Sequence, residues 1–224
     1  MGTINPMRSW VDDVGFGRMT SGATLRPKQL GSPYYGQPAH EWQEITRDLL
    51  RDQELDGPSL VESVLQSWDD IFASHLGIAK IGIDIYPTPQ IMGSFLHELV
   101  PLGISRTKPE WRRDTSSAEK DLVYIPDSRF SIEIKTSSHP AQIFGNRSFG
   151  IDNPGRGKKA KSGYYCAINF QKWADVRVGR PEITLVRYGW LDSTDWNAQN
   201  AETGQASSLP AIVYNSQLAV LLQR

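Results

Sequence analysis

The sequence predicts an α/β fold of the α+β type, a mixed central β-sheet flanked by α-helices. Three observations carry that prediction. From Ala39 to Val100 apolar residues recur at helical spacing. From Leu122 onward they come as short strand-like runs. Helices therefore precede strands within 224 residues, a length that suits one large domain or two small ones. We read residues 1–224 as a single domain, with a loop-rich arm over about 1–38 and N-terminal helices over about 39–100.

The arm is rich in Gly and Pro and has little periodicity, so it is ordered only if it packs against something. Trp42, Ile45 and Leu49, with Glu41, Glu44, Arg47 and Asp48 between them, predict a helix from Ala39 to about Arg51. Gly57 and Pro58 stop it and start a second, which carries Leu60, Val61, Val64, Leu65, Trp68, Ile71 and Phe72 and ends near Gly77. Pro89 opens a third helix and Pro101 closes it. LVYI (122–125) and FSIEIK (130–135) flank Pro126-Asp127-Ser128-Arg129, a hairpin signal. GYYCAINF (163–170) and ITLVRYGWL (183–191) are the next two strands. The tail AIVYNSQLAVLLQR fits either a helix or a strand, and no internal repeat is visible.

Composition narrows the classes. The net charge is −1, so any attraction to nucleic acid must come from a local basic patch. The single cysteine, Cys166, excludes an internal disulfide and a cysteine zinc cluster, and reads as a small buried hydrophobe. The start MGTINPMRSWVDD has no apolar signal-peptide core, and Pro6 stands where a myristoylation pattern needs Ser or Thr. No stretch is apolar enough for a membrane, and a reducing cytoplasm is the expected setting.

The predicted hairpin holds charges that strands seldom carry. Glu133 and Lys135 share one strand face, while Ile132 and Ile134 take the other. A three-residue turn at Pro126–Ser128 would set Asp121 opposite Glu133. A five-residue turn would set it opposite Lys135, and a four-residue turn would need a bulge to bring the charges together. Asp121, Glu133 and the carbonyl of Ile134 are hard oxygen donors suited to Mg²⁺, with Lys135 placed to help a water ionise, and such a group can attack a phosphodiester. The plainer reading is an ion pair that only stabilises the fold. The triplet's place between isoleucines, twelve residues after an acid, weighs toward chemistry.

Asp121 followed by Glu133-Ile134-Lys135 resembles the PD-(D/E)XK nuclease superfamily, with Lys120 where the written motif has Pro. The stretch SSAEKDLVYIPDSRFSIEIKTSSHPAQIFGNRSFG, with KSGYYCAINF after it, resembles type II restriction endonucleases of the ScaI-like group over about residues 94–170. The resemblance implies a restriction-endonuclease-like core, Mg²⁺-dependent cleavage of double-stranded DNA and a homodimer reading a palindrome. It makes Asp121 and Glu133 metal ligands and Lys135 the catalytic lysine. Glu98, in GSFLHELV, becomes a further acid on the helix before the core, and its neighbour His97 reads as a surface or packing residue.

A DNA enzyme of this net charge needs a concentrated basic surface. GNRSFGIDNPGRGKKAKSGYY (145–165) supplies one, read as a flexible loop: Arg147, Arg156, Lys158, Lys159 and Lys161 for phosphates, and Asn146 with Arg147 for base edges. Ser137 and Ser138 follow the catalytic strand directly and face the duplex in this reading. Arg106, Lys108, Arg112 and Arg113 form a second basic set, and Trp111 among them either stacks or packs. Two other functions stay open at this point. One is a repair or junction-resolving nuclease that reads structure. The other is a non-catalytic DNA-binding protein whose three charges form an ion-pair network.

Overall fold

The computed structural model describes residues 6–18, 25–146, 161–198 and 206–224. In chain order the elements are α1 (Trp42–Asp52), α2 (Gly57–Ala73), β1 (His75–Leu76), β2 (Ala79–Lys80), α3 (Pro89–Thr107), β3 (Trp111–Arg113), β4 (Leu122–Tyr124), β5 (Ile132–Ser137), β6 (Phe144–Asn146), β7 (Gly163–Phe170), β8 (Ile183–Leu191), β9 (Asn197–Ala198), β10 (Ala206–Ser208), α4 (Ala211–Gln217) and β11 (Leu218–Gln223). Six strands build the central sheet in the order β11-β8-β7-β5-β4-β3. Strand β5 runs parallel to β7, and every other neighbour pair is antiparallel. The expected mixed sheet flanked by helices is therefore present. Strands β1 and β2 form a two-stranded sheet, and β6-β10-β9 a three-stranded one.

Strand β7 is buried along its whole length, as a central strand covered on both faces must be. Its even residues Tyr164, Cys166, Ile168 and Phe170 join Ile132, Ile134, and the apolar stripes of α2 and α3. Its odd residues Tyr165 and Ala167 join Trp42, Leu191, Trp196 and Tyr214 on the opposite face. Glu133 lies beside Tyr165 and Lys135 beside Ala167, so the charged face of β5 belongs to this second side.

Local chemistry explains the helix starts. The Asp56 carboxylate caps α2 by accepting from the Ser59 amide at 2.7 Å, with Pro58 in the first turn. Pro89 opens α3 in the same way. The expected stop at Pro101 is corrected: α3 runs through it to Thr107. Proline removes the bond to the His97 carbonyl, at a cost of about 3 kcal/mol. Burial outweighs that cost, because Val100, Pro101 and Ile104 all lie in the interior and Ser63 of α2 donates to the Val100 carbonyl at 3.1 Å.

The arm packs where it is described. Val11 and Tyr34 are fully buried, and Gly15 bridges Val220 of β11. The ambiguous tail is both things in turn, one short helix and then an edge strand against β8. The expected loop over 145–165 starts and ends in strands, since Asn146 closes β6 and Gly163 opens β7. Trp111 packs: it is buried in β3, with its ring 4.8 Å from that of Tyr124.

Candidate active site

The site is a fork between two strands. β4 and β5 share one register pair, Leu122 opposite Ile132, the register in which Asp121 falls opposite Glu133. The connection is longer than a three-residue turn. Ser128–Phe130 coil into a 3-10 turn capped by the Asp127 carboxylate, and Ser131 Oγ accepts from the Tyr124 amide at 3.1 Å. Beyond Leu122 the strands part, and the Asp121 carboxylate fills the gap. Its Oδ2 accepts from the Ile134 amide at 2.6 Å. In an extended strand the N–H and C=O of one residue point the same way. The Ile134 carbonyl is therefore also turned to the Asp121 side.

Lys135 Nζ donates to Glu133 Oε1 at 2.5 Å, with the two side chains 15% and 3% exposed. A buried carboxylate needs such a partner, because desolvation otherwise disfavours its charge. Lys120 is buried nearby, its Nζ 4.9 Å above the Tyr165 ring. Burial first, and then the charge of Glu133, hold the Tyr165 phenol well above its ordinary range, so it stays a neutral donor. Gly163 has φ +133°, and a Cβ there would stand 3.0 Å from Lys120 Cε, so glycine leaves this lysine its space.

Two residues of α3 lie beside the fork or next to one that does. His97, read as a surface or packing residue, has Nδ1 3.5 Å from Asp121 Oδ2. Glu98, the next residue, pairs with Arg113 of β3. Nothing in the local sequence marks His97, because its approach depends on how α3 crosses β5. At that crossing a Cβ on Gly93 would meet Thr136 Oγ1 at 2.6 Å.

Of the expected DNA-facing residues, Ser137 ends β5, Ser138 follows it, and Asn146 is exposed at the end of β6. Lys161 is half-buried just ahead of β7, and its carbonyl accepts from the Tyr165 hydroxyl. Arg147, Arg156, Lys158 and Lys159 lie outside the described residues. In the second basic set, Lys108 pairs with Asp56, Arg112 with Glu119 and Arg113 with Glu98. Among the described residues no group of three or more His, Cys, Asp or Glu side chains is gathered for a metal. A site here would take two carboxylates and a carbonyl. No helix among them is long and apolar enough to cross a membrane.

The ScaI restriction endonuclease family model matches residues 32–222, well beyond the stretch in which the sequence shows its resemblance. The type II restriction enzyme ScaI of Streptomyces caespitosus is 55% identical over 213 residues, which cover 95% of this chain and 94% of that protein. No solved structure matches the chain. With the expected mixed sheet, the charged fork and a match across most of its length, the chain belongs to the ScaI restriction endonuclease family.

Proposed function

We propose that this chain is a type II restriction endonuclease that hydrolyses both strands of double-stranded DNA at a short palindromic site. It acts as a homodimer, with Mg²⁺ as cofactor and Asp121, Glu133 and Lys135 as the working group of each subunit. Family membership supports the enzyme class. The observation that supports the residues is their convergence at one fork, Asp121 bonded to the Ile134 amide and Lys135 to Glu133.

The donors fit a hard divalent cation. Asp121, Glu133 and the Ile134 carbonyl offer only oxygen, and the strand register sets Asp121 opposite Glu133. When bound, Mg²⁺ offsets phosphate charge and lowers the pKa of a neighbouring water. Lys135 Nζ then holds positive charge where the phosphorane oxygens gain negative charge. Attack by water forms one P–O bond as the ester P–O bond opposite it breaks. Glu98 is the further acid in this reading. Its bridge to Arg113 joins side chains 58% and 43% exposed, and a surface pair of that kind is worth about 0–1 kcal/mol, so it opens at little cost.

Ser137, Ser138, Asn146 and Lys161, with the sequence charges Arg147, Arg156, Lys158 and Lys159, meet the duplex. The lysines and arginines position phosphates, and Asn146 and Arg147 read base edges. The chain works as one nuclease domain in the cytoplasm. A plasmid digest in Mg²⁺, repeated with chelator, tests the reading. Discrete chelator-sensitive bands are expected, and they should vanish for Lys135→Ala. Cleavage confined to branched substrates would identify a structure-reading nuclease instead. Binding without any cutting would identify a non-catalytic protein.

A further inference from the structure

A groove of about 350 Å³ opens beside the fork, between the first half of α3 and the end of β5. Gln90, Ser94 and His97 line one wall, at positions that share a helix face. Thr136, Ser137 and Ser138 line the other. Every polar side chain in it is neutral or a histidine, in a chain with 25 acidic residues. His97 belongs both to this groove and to the active site, through Asp121.

The second wall is held in place. Asn169, fully buried on β7, donates to the carbonyls of His139 and Gln142 at 2.7 and 2.9 Å. Arg187 of β8, also buried, donates to the Ala141 carbonyl at 2.7 Å. The His139 amide donates to Ser137 Oγ at 3.0 Å, and His139 Nδ1 accepts from the amides of Ala141 and Gln142. Two buried polar side chains thus fix the turn that follows Ser138. The first wall is fixed by the close Gly93–Thr136 crossing.

We propose that this groove seats the phosphodiester backbone of the strand being cut, next to the scissile bond, through neutral donors on Gln90, on Ser138 and on Ser94, whose hydroxyl turns to the phosphate from the Gln90 carbonyl to which it donates at 2.9 Å. The proposal rests on the nuclease reading above, which already uses Ser138, and extends it to Gln90 and Ser94. From Gln90 to His97 the helix rises about 10 Å. A duplex rises roughly 3.4 Å per nucleotide along its axis, so a wall of that length faces at most about three phosphates of one strand. Hydroxyl and amide groups donate to phosphate oxygens without displacing a counterion. Contacts here therefore hold the strand without steepening the salt dependence that lysines create.

The experiment uses the full chain and a plasmid fragment bearing a site that the unaltered protein cuts. Affinity is measured in Ca²⁺ at several salt concentrations for the unaltered protein, Gln90→Ala/Ser94→Ala and Ser94→Trp. Thermal melts confirm that both variants fold. The double variant should lose roughly tenfold in affinity, since bonds to charged groups are the stronger ones. The slope of log affinity against log salt should not change. Ser94→Trp, which fills the groove, should lose more, and KM should rise in Mg²⁺. Folded variants that bind and cut like the unaltered protein would overturn the proposal, as would a slope shallower by about one. An unaltered protein that cuts no plasmid would instead remove the nuclease reading itself.

Discussion

Asp121 stands in for a strand: its carboxylate takes the Ile134 amide at 2.6 Å, just where β4 turns away from β5. This gives Asp121 two separable duties, pairing an amide and presenting a carboxylate. Asp121→Asn keeps an oxygen for the amide and loses the charge. It should unfold close to the unaltered protein yet cut no DNA. Asp121→Ala loses both and should cost a further 1–3 kcal/mol or so, the penalty for a buried donor without a partner. Urea unfolding with a plasmid digest reads the two duties apart. Equal stabilities for Asn and Ala would deny the structural one.

A divalent cation held by Asp121 and Glu133 is detectable without DNA. A cation that binds only the folded chain raises stability by RT ln(1 + [L]/Kd), about 2.7 kcal/mol at a hundredfold excess over Kd. Mg²⁺ should therefore raise the melting temperature over that in chelator. Glu133→Gln and Asp121→Asn should each flatten the response. A rise that survives in both variants would place the cation elsewhere.

The sequence exposes this site unevenly. Strands β7 and β8 are legible to the residue, because a strand buried on both faces is a continuous apolar run. The charges on β5 are legible because alternation fixes which residues share a face. The register of the hairpin is not. It depends on a 3-10 turn held by Asp127 and on the Ser131 hydroxyl, and such turns leave only weak sequence signals. Strand β3 is three residues, too short to show a period. The contact between His97 and Asp121 arises from a helix crossing over a strand, which no local pattern encodes.

Pro101 sets two costs against each other. Its ring denies α3 one hydrogen bond, at about 3 kcal/mol, yet the ring itself is buried. Pro101→Ala restores the amide and gives up about two buried methylenes, roughly 1.6 kcal/mol. The variant should be more stable by about 1 kcal/mol, measured by urea unfolding. A loss of 2 kcal/mol or more would mean that the ring's packing outweighs the missing bond.

The arm is anchored by an ion pair inside the protein. Lys28 pairs with Asp195, their side chains 7% and 3% exposed, and Lys28 Nζ sits 4.4 Å above the Trp42 ring. Removing one partner leaves a buried charge, so Lys28→Met should cost about 3–5 kcal/mol. Lys28→Met/Asp195→Asn removes both charges and keeps an acceptor for the Asp192 amide, which donates to Asp195 at 2.7 Å. Most of the loss should return. Burial pushes the Asp195 carboxyl up to about 6, against the pull of Lys28. An unfolded aspartate titrates near 3.9. Between those values the folded chain holds a proton that the unfolded chain has shed, so this group adds stability as pH falls through about 6. From pH 7 to pH 5 the unaltered protein should gain about 1 kcal/mol relative to Asp195→Asn. Urea unfolding of both proteins at the two pH values measures that gain. A gap that stays constant or closes would show that Asp195 remains ionised at pH 5, held so by Lys28.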